Sequence, residues 1–74
     1  MKYTVIGDEN CIRCGIVCDI LEENGIDFEY KYLSEYDDKY ALQMVNSAIE
    51  DGFTSFPLIF NETINEFVKL EDVV

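Results

Sequence analysis

Asn10-Cys11-Ile12-Arg13-Cys14-Gly15 stands between a short apolar run and a stretch of helical periodicity. Upstream, residues 2–6, with Tyr3, Val5 and Ile6, read as a strand that Gly7 ends. Asp8, Glu9 and Asn10 make a polar loop, and Asn10 is the expected helix cap. Downstream, Ile12, Ile16, Val17, Ile20 and Leu21 recur at helical spacing, with Asp19, Glu22 and Glu23 on the opposite face. The Cys-x-x-Cys pair therefore opens a helix, with Cys11 at its tip. The first helical turn has N–H groups without intrahelical partners and carries the positive end of the macrodipole, and both favour a thiolate. At an unperturbed pKa near 8.5 roughly 3% of a thiol is ionised at pH 7, whereas at a pKa of about 6 roughly 90% is.

The chain continues with clear punctuation. Asn24-Gly25 closes the first helix. Residues 26–33 alternate, with Ile26, Phe28, Tyr30 and Tyr32 against Asp27, Glu29 and Lys31. That pattern predicts a half-buried strand at a sheet edge, blunted by Lys31. Strand, helix and strand at this spacing form a βαβ unit with parallel strands. Ser34 and Asp37 give a capping signal for a second helix over residues 37–50. Its buried stripe is expected to be Tyr40, Ala41, Met44, Val45, Ala48 and Ile49, and Asp51-Gly52 ends it. A loop, Phe53-Thr54-Ser55-Phe56, leads to Pro57, the only proline. Leu58-Ile59-Phe60 is a short strand. Asn61-Glu62 is expected to turn it, and residues 63–68 to return antiparallel. Residues 70–74 begin a final helix of barely one turn.

Seventy-four residues, 49% of them hydrophobic, predict one domain (residues 1–74) rather than a disordered chain. No apolar run approaches the roughly 20 residues of a membrane span. Met1-Lys2-Tyr3 starts no signal-peptide pattern, so a cytoplasmic protein without membrane contact is expected. The formal net charge of −11 disfavours nucleic acid and favours protein partners with basic surfaces. Three cysteines and no histidine leave a tetrahedral zinc site short of ligands, so no metal site and no tightly bound cofactor are expected.

The order β-α-β-α-β-β, with Cys-x-x-Cys after the first strand and Phe56-Pro57-Leu58-Ile59-Phe60 opening the third, resembles the thioredoxin fold. Its small size is similar to the glutaredoxins and to the related NrdH-like redoxins that donate electrons to ribonucleotide reductase. The resemblance covers nearly the whole chain. The element order gives an α/β fold with a four-stranded mixed sheet, helices on both faces and a truncated final helix, and the resemblance implies the strand order 2-1-3-4. It also implies a cis Phe56-Pro57 bond, an isomer found in only about 5–6% of X-Pro bonds generally. Three departures stand out. Asp8 occupies the position where glutaredoxins usually carry lysine, Glu66-Phe67-Val68-Lys69 replaces their Gly-Gly pair, and the last helix is short. Each makes glutathione a poorer reductant.

On this resemblance the chain is expected to be a dithiol-disulfide oxidoreductase acting on protein disulfides, with ribonucleotide reductase among its partners. Thioredoxin reductase or glutathione would reduce it. Cys11 is the expected nucleophile and Cys14 the resolving thiol. Arg13 should lower the Cys11 pKa, and Asp8 should raise it. Phe56 and Pro57 would flank the dithiol, the Phe56 backbone would pair with the bound substrate chain, and Ser55 would add a polar contact. Other readings stay open. The pair could be two unreactive thiols in a binding module, or Cys11 could share an iron–sulfur cluster between two chains. Cys18 reads as a small, partly buried side chain or as a third thiol that pairs with Cys14 on over-oxidation. The tyrosines read as packing.

Overall fold

The computed structural model describes residues 2–74. The strands are β1 (Tyr3–Gly7), β2 (Phe28–Tyr32), β3 (Leu58–Asn61) and β4 (Glu66–Val68). They form one sheet of order β2-β1-β3-β4. β1 and β2 run parallel, with Val5 opposite Tyr30 and Gly7 opposite Tyr32. β3 is antiparallel to β1, and β4 to β3. The expected order and the edge position of β2 are both observed. None of the helices among the described residues is long and apolar enough to cross a membrane.

The helices are α1 (Ile12–Glu23), α2 (Asp38–Glu50) and the single-turn α3 (Leu70–Val73). A 3-10 turn, Leu33–Glu35, joins β2 to α2. Two apolar clusters occupy the two faces of the sheet. Val5, Leu21 and Ile59 centre the first, against which Val17, Cys18, Tyr30, Leu70 and Val73 pack. Thus α1 and α3 share one face, and Leu70 and Val73 are half-buried on it. Ile6, Ala48 and Leu58 centre the second cluster under α2, with Met44, Phe53, Phe56 and Phe67 around them.

Both long helices stop by the same local device. At the end of α1, Gly25 adopts φ 69°. Its N–H donates to the Glu22 carbonyl at 3.1 Å, and the Ile26 N–H donates to the Leu21 carbonyl at 3.0 Å. This is a Schellman motif, and its usual hydrophobic contact is the pair Leu21 and Ile26 in the first cluster. Gly52 (φ 92°) does the same after α2, with Phe53 N–H donating to the Ala48 carbonyl at 2.8 Å. Ala48 and Phe53 meet in the second cluster. Each stop signal therefore also pins its helix to one face of the sheet.

Three expectations need correction. Of the expected α1 stripe, Val17 and Leu21 lie on the buried face and Ile20 is half-buried, but Ile12 (83% exposed) and Ile16 are exposed, and Cys14 and Cys18 complete that face instead. The two cysteines act as the apolar residues of that face, which turns it away from Ile12. In α2, Tyr40 and Ile49 are exposed, leaving a narrower stripe of Ala41, Met44, Val45 and Ala48. The β3–β4 connection is a longer loop over residues 62–65, and β4 is correspondingly shorter. Asn61 Oδ1 accepts from the Thr63 N–H at 3.0 Å and Asn65 sits at φ 54°, so both asparagines bend the chain before pairing resumes.

Candidate active site

β1 delivers the chain to the edge of α1, and the cap of that helix is a sulfur. Cys11, not Asn10, is the N-cap residue, with extended backbone (φ −97°, ψ 103°). Its Sγ accepts a hydrogen bond from the Cys14 N–H at 3.2 Å. The loop before it is tied by the Cys11 N–H donating to the Asp8 carbonyl at 3.2 Å and the Glu9 N–H donating to Asp8 Oδ1 at 2.8 Å. A cap side chain normally offers oxygen to an orphan N–H of the first turn. Here sulfur does so, and a thiolate would accept the same bond more strongly.

Cys11 and Cys14 are joined as a disulfide, with Cα atoms 5.4 Å apart. Their exposures differ. Cys11 is half-buried, whereas Cys14 is 1% exposed. Cys18, one turn further on, is free and half-buried. Burial, then the carboxylates of Glu22 and Asp19, push its pKa up, so it stays a thiol at neutral pH.

Two depressions lie beside the first turns of α1, and one of them contains the dithiol. One is a groove of about 270 Å³, lined by Arg13, Thr54, Ser55, Phe56, Pro57 and Lys69 among others. Arg13 Nη1 donates to Ser55 Oγ at 3.4 Å and so bridges the first turn of α1 to the proline loop. The Phe56-Pro57 bond is cis. The Phe56 side chain is half-buried and packs against the α2 cluster, and the residue also lines the groove. The second depression is a hollow of about 280 Å³ lined by Asp8, Glu9, Cys11, Cys14, Gly15, Cys18, Tyr30 and Tyr32. Cationic side chains line the groove and carboxylates line the hollow.

The solved structure most informative here is the crystal structure of the glutaredoxin (grx-1) from Archaeoglobus fulgidus. It superposes with a TM-score of 0.65 over 97% of this chain and 80% of that one, at 16% sequence identity. The fold is a glutaredoxin fold. At that identity the likeness speaks for the fold alone. No protein-family model and no curated protein matches the sequence.

Within the glutaredoxin fold, the expected site residues fall into two groups. Arg13, Ser55, Phe56 and Pro57 share the groove. Asp8 shares the hollow with both cysteines of the pair. The bond from Arg13 to Ser55 points its guanidinium toward the proline loop, a contact that sequence spacing does not reveal. Lys69 also lines the groove and Tyr30 and Tyr32 the hollow, residues to which the sequence assigns no role at the dithiol. The alternation of β2 held part of the signal, because it places Tyr30 and Tyr32 on the α1 face.

Proposed function

We propose that this protein is a dithiol-disulfide oxidoreductase that reduces disulfides in other proteins. The observation that carries the reading is the unequal pair at the helix tip. Cys11 caps α1 and is accessible, while Cys14 is bonded to it and buried beneath. A Cys11 thiolate would attack one sulfur of a target disulfide, breaking the target S–S bond, expelling its other sulfur as a thiolate and forming a mixed disulfide. Cys14 would then attack Cys11 Sγ, releasing the target as a thiolate and restoring the Cys11–Cys14 bond. The Phe56 backbone, beside Pro57 in the groove, would hold the target chain. Arg13 would favour the Cys11 thiolate and Asp8 would oppose it.

Targets with basic surfaces suit a chain of net charge −11. Ribonucleotide reductase is one candidate, by resemblance to the redoxins that serve it. A reducing compartment, the cytoplasm, suits a dithiol that must be recharged. Thioredoxin reductase is the reductant that fits better, and glutathione fits less well. Asp8 stands close to the pair, and only Arg13 and Lys69 in the groove oppose the unfavourable charge.

The test is turnover of a protein disulfide, with NADPH and thioredoxin reductase compared against glutathione and glutathione reductase. Activity with neither, together with a visible absorption band in anaerobically purified protein, would favour a shared cluster at Cys11 instead. Asp8→Lys should raise turnover of a glutathione mixed disulfide by about two- to fivefold at low salt, the effect of exposed charges. It should act less on a neutral disulfide. An equal gain on both substrates would show that Asp8 acts on the thiol and not on glutathione.

A further inference from the structure

The hollow beside Cys14 has no role in the proposed cycle so far, yet its geometry is specific. Tyr30 faces Val5 across the β1–β2 pairing, on the side covered by α1. From there it leans along the strand toward Gly7, as strand side chains do. A Cβ at Gly7 would lie 2.9 Å from Cys14 Sγ and 2.9 Å from Tyr30 Cζ, and would collide with the Tyr30 hydroxyl. The absent side chain of Gly7 thus leaves the space in which phenol and sulfur come together. No side-chain hydrogen bond among the described residues engages the Tyr30 hydroxyl. Its donor is available.

We propose that Tyr30 is a positioning residue for the dithiol, its phenol donating a hydrogen bond to Cys14 Sγ whenever that sulfur carries charge. The inference rests on the reductase reading above. During recharging, an external thiolate attacks Cys11 Sγ. A new S–S bond forms, the Cys11–Cys14 bond breaks, and its electron pair goes to Cys14 Sγ. The sulfur becomes a buried thiolate, which is costly unless hydrogen-bonded. The Tyr30 O–H then points at it, and no proton has to transfer. A second external thiolate attacks the external sulfur of the mixed disulfide and releases Cys11. In the working direction the same bond holds the Cys14 thiolate that attacks Cys11 Sγ, and the departing target thiolate takes its proton from water.

The surroundings support this role. Asp8 and Glu9 from the loop, Cys11, Cys14 and Cys18 from α1, and Tyr32 from β2 are the titratable groups that line the hollow. None is a cation; the Cys18 thiol is a weak donor, and Tyr30 is the phenol that approaches Cys14 over Gly7. Burial first, then Tyr32, Cys18 and Asp8, push the Tyr30 pKa up, which keeps its proton in place. Tyr32 packs edge-on against Tyr30 at 5.4 Å between ring centres and is exposed at the strand end.

The test is a pH titration of reduced protein, following the Cys14 13Cβ resonance. Tyr30→Phe should move the midpoint upward by about one pH unit, a tenfold loss of thiolate, the size expected for a hydrogen bond to a charged group. Tyr40→Phe, at an exposed tyrosine of α2 away from the hollow, should leave it in place. An unchanged midpoint in Tyr30→Phe that melts like the parent protein overturns the proposal. If Tyr30→Phe does not fold, 3-fluorotyrosine at position 30 keeps the ring and strengthens the donor. The midpoint should then fall, and a midpoint that stays or rises overturns the proposal. Because the titration needs no turnover, the two readings can fail separately. An inactive protein with a Tyr30-dependent midpoint loses only the reductase reading. An active protein with a Tyr30-independent midpoint loses only this one.

Discussion

Cys11→Ser is expected to abolish disulfide reduction, and Cys14→Ser to stop it half-way. The first removes the sulfur that caps α1 and meets the target. Nothing can replace it, because Cys14 is 1% exposed and cannot reach an external disulfide without local opening. The Cys18 thiol is held protonated by burial and by the carboxylates of Glu22 and Asp19. Cys14→Ser keeps the first attack but removes the second. A mixed disulfide between Cys11 and the protein target should accumulate and persist until an external thiol resolves it. Mass spectrometry of non-reduced samples would show the adduct. Alkylation of the reduced protein at pH 6 should label Cys11 before Cys14 and Cys18. Substantial activity in Cys11→Ser, or first labelling at Cys18, would sink the assignment.

Leu21→Ala should cost about 3 kcal/mol or more, the range for truncating a buried leucine. Leu21 is fully buried, centres the α1 cluster with Val5 and Ile59, and also closes the Schellman motif with Ile26. A chain of this size has a net stability on the order of 4–11 kcal/mol. The loss should lower Tm by roughly 10–25 °C. Leu42→Ala is the control, because Leu42 is 62% exposed on α2 and should cost less than about 0.5 kcal/mol. Equal shifts in the two variants would mean that the α1 face is not the stabilising core. Thermal melts followed by circular dichroism decide it.

The sequence was most legible where the signals are local. Asn24-Gly25 and Asp51-Gly52 announce helix ends because left-handed backbone there suits glycine, and the structure places both ends at those residues. The alternation of Glu29 and Lys31 with Phe28 and Tyr30 gives β2 correctly. The face of α1 was harder to read. Apolar residues surround that helix, so periodicity cannot choose between Ile12 and Ile16 on one side and Cys14 and Cys18 on another. The sheet makes the choice, through Val5 and Ile59. The site was legible as a pair of thiols and a proline loop. The bond between Arg13 and Ser55 and the meeting of Tyr30 with Cys14 over Gly7 depend on elements distant in sequence, and only the packed sheet brings them together.

Cys14, 1% exposed, is as deeply buried as the apolar core residues Val5, Ile6 and Leu21, and this has a thermodynamic consequence. One of the sulfurs that changes oxidation state belongs to the same interior that keeps the chain folded. Reduction and unfolding therefore form a closed cycle. The difference in unfolding free energy between the oxidised and reduced proteins equals the difference between the disulfide's free energy of reduction in the folded and in the unfolded chain. For a two-electron couple, about 1.4 kcal/mol corresponds to roughly 30 mV. Any group that stabilises the reduced fold, a donor to a buried thiolate included, makes the folded disulfide the stronger oxidant. Denaturant melts of the two forms would thus measure how far folding shifts the potential, without an electrode or a partner protein.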